Sequence, residues 1–118
     1  MNAISGKKDM GKLFENVVLL KLKRKLPQNQ EINYWKKPNG AECDFVIREG
    51  LDIKKLIQVV YEIKDEKTRK REINGIMECA KEFGLDEGLI ITKDYEGMEK
   101  IQNKKIKYIP LWKWLLEN

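Results

Sequence analysis

Hydrophobic and polar positions change period several times along the chain, and each change marks a new element. From about Lys8 to Leu26, the residues Leu13, Val17 and Leu20 recur beside Phe14, Val18 and Leu22 at helical spacing, which predicts an amphipathic helix stopped by Pro27. Residues 1 to 7 are expected to fray. Between Glu31 and Lys64 the period falls to two: Ile32 and Tyr34 alternate with Asn33 and Trp35, and Pro38-Asn39-Gly40 supplies a hairpin turn into a second run from Ala41 to Arg48. Strict alternation there places Cys43, Phe45 and Ile47 on one face and Glu42, Asp44, Val46 and Arg48 on the other. After the turn signals Glu49 to Asp52, Leu56 to Lys64 predicts a third strand. Its apolar face carries Ile57, Val59, Tyr61 and Ile63, and its mixed face carries Leu56, Gln58, Val60, Glu62 and Lys64.

Helical spacing returns at Ile73, Ile76, Met77, Ala80 and Phe83, with helix-start residues at Asp65 to Thr68 and a stop at Gly84. Gly88 to Thr92 is a short buried-type strand, and a helix between two strands implies a crossover and hence parallel pairing. The remainder predicts a helical turn around Met98 to Gln102, a strand from Ile106 to Ile109, and a terminal helix holding Leu111, Trp112, Trp114, Leu115 and Leu116, with Pro110 in its first turn or the break before it. Both tryptophans are expected to pack against the core or its edge. The expected fold is therefore α/β, an αβββαβ core with a βα addition: one mixed sheet flanked by helices, antiparallel through the meander and parallel after the crossover.

A chain of 118 residues supports one domain, spanning residues 1–118. With 36% charged residues and no apolar run long enough to span a bilayer, it reads as a charged globular domain without a membrane segment. Its start lacks the basic-then-apolar pattern of a secretory signal, so the cytoplasm is the expected compartment. Cys43 and Cys79 fall on a strand face and in a helical stripe, which suits buried, reduced thiols. The chain has no histidine, which excludes imidazole bases and imidazole-ligated zinc, so any metal would be oxygen-ligated, Mg2+ or Mn2+ by preference. No Gly-Lys-Ser/Thr loop is present to bind ATP.

Candidate chemistry gathers in two places. Glu42 and Asp44 form an acidic pair on the second strand, and Glu15 borders the buried face of the first helix, where a carboxylate can lean toward the end of the sheet. Lys67, Arg69, Lys70 and Arg71 cluster at the start of the second helix. Free N–H groups and the helix dipole would favour a phosphate there, although Glu66 and Glu72 also balance the charge. A net charge of +5 permits a nucleic-acid partner without requiring one.

This order of elements resembles the core of the restriction-endonuclease-like, or PD-(D/E)XK, nucleases, and the resemblance covers nearly the whole chain. Glu15 in Gly11-Lys12-Leu13-Phe14-Glu15 resembles that superfamily's helix acid, and Asp44 in Glu42-Cys43-Asp44-Phe45-Val46-Ile47 its strand acid. More narrowly, Tyr34-Trp35, Glu42 to Val46, Ile57-Gln58-Val59, Thr68 to Ile73, Leu89 to Thr92 and Ile109 to Trp112 are similar to the C-terminal domain of archaeal and bacterial AAA-type ATPases. The resemblance implies a Mg2+- or Mn2+-dependent module acting on DNA or RNA, with Asp44 as metal ligand, Glu15 as helper, and an ATPase partner in cis or in trans. Its third-strand motif, Glu-or-Gln-x-Lys, finds two candidates here. Gln58-x-Val60 lies opposite Asp44 but lacks the lysine, and glutamine offers a metal only a neutral carbonyl oxygen. Glu62-x-Lys64 has the residue types, with Lys64 as the water-activating group, but lies further along the strand and needs a bulge or a longer turn to come level. The sequence thus leaves open a nuclease, a degenerate module that binds nucleic acid or an ATPase without cutting, and a charged scaffold.

Overall fold

The computed structural model describes residues 7–117, and residues 1–6, where fraying is expected, lie outside the described part. A first helix, α1 (Lys7–Lys25), leads into the strands β1 (Gln30–Lys36), β2 (Glu42–Glu49) and β3 (Asp52–Val59). Helix α2 (Glu66–Phe83) then crosses over to β4 (Glu87–Thr92), and β5 (Gly97–Ile101), β6 (Lys104–Pro110) and the short helix α3 (Leu111–Glu117) complete the chain. The six strands form one sheet in the order β1-β2-β3-β4-β6-β5. Pairing is antiparallel through β1, β2 and β3, parallel from β3 to β4 and from β4 to β6, and antiparallel between β6 and β5. The mixed sheet expected from the sequence is therefore present.

Each face of the sheet has its own core. On one side α2 lays Ile73, Ile76, Cys79 and Ala80 against Cys43, Val46, Leu56, Val60, Ile90 and Ile106. On the other, Val18 and Leu22 of α1 and Leu111 and Trp114 of α3 pack with Phe45, Ile47, Ile57, Val59 and Ile91. Helix α2 starts where its capping residues predict, with Asp65 accepting a hydrogen bond from the Thr68 N–H at 2.8 Å, and ends at Gly84 in the left-handed region at φ 69°.

Beyond Trp112, which is exposed where packing is expected, four local expectations differ from the structure. Cys43 does not share a face with Phe45 and Ile47. Trp35 pairs with Cys43 and Asn33 with Val46, so Asp44 and Phe45 together oppose the single residue Tyr34, and this β-bulge turns Cys43 and Val46 toward α2. The third strand begins at Asp52 and ends at Val59 instead of running to Lys64, because Gly50, at φ 61°, makes a tight turn and the β2 ladder gives out at the bulge. Ile63 packs with the α2-side core, opposite to the parity expected of a continuing strand. Finally, Met98 to Gln102 is not helical. Gln102 and Asn103 both adopt positive φ and fold Gly97–Ile101 back on β6 as a hairpin, a turn that lacks the usual glycine.

Candidate functional site

The bulge on β2 organises the acidic end of the sheet. Because two residues there oppose one, Asp44 leaves the ladder, and its Oδ2 accepts a hydrogen bond from the Val59 N–H of β3 at 2.8 Å. The place that a regular β2 would fill is taken by Gln58. Its Oε1 accepts from the Asp44 N–H at 2.8 Å, while its Nε2 donates to the Glu42 carbonyl at 2.9 Å and to the Glu72 carbonyl of α2 at 3.4 Å. With 1% of its surface exposed, Gln58 spends its whole amide on joining β2, β3 and α2. Helix α2 approaches this point closely, since a Cβ added at Gly75 would sit 2.3 Å from the Glu42 carbonyl oxygen.

Around Asp44 stand three further carboxylates. Burial raises the Asp44 pKa most, to about 7, with the Val59 N–H opposing and the charges of Glu15, Glu72 and Glu42 adding to the rise. Glu15 is raised by its own burial, with Lys12 opposing and Glu42 adding. Glu72 is likewise raised by burial, against the pull of Arg71. Tyr34, the residue opposite the bulge, donates its O–H to Glu42 at 2.7 Å, and that bond holds its own proton more tightly than usual. Beneath the cluster, Cys43 and Cys79 are buried free thiols. The neighbouring Cys79 thiol and burial push the Cys43 thiol far above its ordinary range, which keeps it protonated.

Register decides between the two third-strand motifs. Phe45 pairs with Ile57 and Val46 with Leu56, so Gln58 is the residue beside Asp44. Glu62 and Lys64 lie beyond the end of β3, in the connection to α2. Glu15 and Asp44, from a helix and a strand distant in sequence, come within electrostatic reach. Glu72 belongs with them, although the sequence reading treats it only as a counter-charge to the basic cluster. Its signal is the helical stripe Glu72, Gly75, Ile76, Cys79, which continues the buried face of α2. As a place for Mg2+ or Mn2+ the cluster is a poor fit: one Asp44 oxygen accepts from Val59, the Gln58 carbonyl oxygen accepts from Asp44, and among the described residues no group of three or more His, Cys, Asp or Glu is disposed to hold a metal ion.

The predicted basic residues sit on the first two turns of α2. Arg69 pairs with Glu66 at 3.0 Å and with Glu99 of β5, and Arg71 lies 3.6 Å from Glu72. Arg69, Lys70 and Arg71 line one groove with Lys81 and Lys104, which the sequence reading did not pick out; Lys67 is not among its lining residues. Among the described residues no helix is long and apolar enough to cross a membrane.

Comparison with known proteins places this architecture among relatives. A family model described as a domain of unknown function (DUF4143) matches residues 10–114. An uncharacterized protein of Methanocaldococcus jannaschii, MJ1544, is 37% identical over 121 residues that take in 97% of this chain and 26% of the relative, so the chain spans about a quarter of that protein's length. Among solved structures, a chain from a tetradecameric assembly of Thermococcus gammatolerans McrB AAA+ hexamers with bound McrC superposes with a TM-score of 0.62 at 16% identity, over 86% of this chain and 28% of the other. At that identity the likeness is one of fold.

Proposed function

The chain belongs to the DUF4143 family, and we propose that it is a restriction-endonuclease-like module kept for interaction, a partner in cis or in trans of an AAA-type ATPase, with phosphodiester cleavage lost. One observation carries this reading: Gln58, the residue level with Asp44, has both ends of its amide committed to backbone groups, so the position where a metal ligand is needed is a structural clasp. Lysine is absent two residues on, at Val60. Without that lysine, and with a neutral amide where the motif has a carboxylate, the β3 positions would neither stabilise the charge of the transition state nor activate a bound water. Support for an ATPase partner comes from the shared fold with a chain of an AAA+ assembly and from the chain's span of about a quarter of its relative.

A second reading, a metal-dependent module acting on DNA or RNA, is favoured by two placements. The charge of Glu15 on α1 acts on Asp44, and Arg69, Lys70 and Arg71 share a groove with Lys81 and Lys104 that would suit a phosphate backbone. Incubation of the protein with supercoiled plasmid and Mn2+, beside Asp44→Ala, separates the two. The interaction reading expects no cleavage above background from either protein. Manganese-dependent nicking by the parent that disappears in Asp44→Ala would overturn it in favour of the nuclease.

A further inference from the structure

On the sheet face covered by α1 and α3, the strand residues Ile47 and Ile57 are buried, yet the two helices leave a trough between them. Helix α3 has seven residues, about 10 Å of helix, whereas the strands beneath it run for about 20 Å. Beside it, toward the C-terminal end of α1, an open trough of about 490 Å³ has Leu89 and Trp114 in its apolar lining. Its charged lining residues are Lys21 and Lys25 of α1 and Lys54 and Lys55 of β3, with no carboxylate among them. A second β-bulge explains how two consecutive strand residues come to line one cavity: Ile47 pairs with Lys55 and Arg48 with Ile53, so Lys54 is the extra residue. None of the four lysines forms an ion pair with a described residue. Lys37, Arg48, Arg69, Arg71 and Lys113 do pair with carboxylates, and what sets the four lysines apart is that they line one trough with no acidic residue in its lining.

We propose that this trough is the docking site for an acidic amphipathic helix of a partner protein, which lays its apolar stripe between α1 and α3 and meets Lys21, Lys25, Lys54 and Lys55 with carboxylates on either flank. A helix is the element that fills a gap between two helices on a sheet face, because its side chains interdigitate with theirs over the same floor. The lysines, which would repel a basic partner, select the acidic one. This inference rests on the chain being an interaction module, and it names the surface used.

The probe is a synthetic peptide of about 14 residues, about 20 Å as a helix, with leucines at helical spacing flanked by glutamates. A twin peptide carries lysines in place of the glutamates, and anionic phosphatidylglycerol vesicles form a third arm. Titrated into the full chain and followed by amide chemical shifts, the acidic peptide is expected to saturate, to shift Lys21, Lys25, Lys54, Lys55 and Trp114, and to weaken with added salt. The pair Lys21→Glu and Lys54→Glu together is expected to lower its affinity at least tenfold, with the milder pair Lys21→Gln and Lys54→Gln as a check on folding. The proposal is overturned by absence of saturable binding, by equal binding of the lysine twin, by shifts confined to the Lys70 and Lys81 groove, or by vesicles binding at the four lysines where the peptide does not. Manganese-dependent cleavage would strike the interaction reading and leave the peptide titration standing, while a failed titration removes the trough and leaves the cleavage result intact.

Discussion

Two β-bulges, one on β2 at Asp44 and one on β3 at Lys54, divide the chemistry of this domain. Each inserts one residue and re-aims charged side chains, yet the surroundings differ. At the β2 bulge the freed groups find partners within the fold: Asp44 takes the Val59 N–H, Gln58 takes the Asp44 N–H, and Glu42 takes the Tyr34 O–H. Among the described residues no buried side-chain nitrogen or oxygen lacks a partner. At the β3 bulge two lysines join two more from α1 around an apolar floor and form no ion pair with a described residue. An irregularity consumed from within is architecture, and one left unsatisfied at the surface is an invitation to a partner.

The strongest way to break the comparison is at the closed end. Gly75→Ala would drive a methyl group into the Glu42 carbonyl and force α2 off β2; a loss of about 3 kcal/mol is expected in urea unfolding. Gln58→Leu, which strands the Asp44 N–H and the Glu42 carbonyl in a buried site, is expected to lose about 2 to 3 kcal/mol by the same measurement. Asp44→Asn has the opposite sign. Because the folded-state pKa of Asp44, about 7, stands above its ordinary 3.8, the native state holds the extra proton, and the parent loses stability as pH rises between those two values. Asparagine can still accept from Val59 and carries no charge toward Glu15, Glu72 and Glu42. The variant should therefore be more stable than the parent at pH 8, by on the order of 2 kcal/mol, with the difference gone near pH 4. A variant less stable than the parent at pH 8 would show that the carboxylate is favoured there. At the open end, Lys54→Glu should change stability by less than about 0.5 kcal/mol while weakening recognition of an acidic helix.

Much of this was legible in the sequence, and the misses share a cause. Periodicity located α1, the meander, α2 and β4, and capping residues at Asp65 and Gly84 set the ends of α2 to within a residue. The acid Asp44 and its neighbour Gln58 were legible because a tight hairpin fixes register by counting. What counting could not reveal were the bulges, since an inserted residue leaves composition unchanged and shifts parity. Cys43 was therefore assigned to the wrong face and Lys54 passed unnoticed. Hairpin β5–β6 was missed for a related reason, because Gln102 and Asn103 take positive φ without a glycine to announce it. The place of Glu72 depended on how α2 rolls onto the sheet, which Gly75 sets through its close approach to Glu42.

The claim that the acidic end is closed, and not a metal centre, can be tested at Asp44 itself by following its carboxyl carbon by NMR through a pH titration with and without millimolar Mg2+. The account predicts a midpoint near 7 that Mg2+ leaves in place. A midpoint that falls by a unit or more when Mg2+ is added would mean that the ion binds the carboxylate, and that this end of the sheet is a working site.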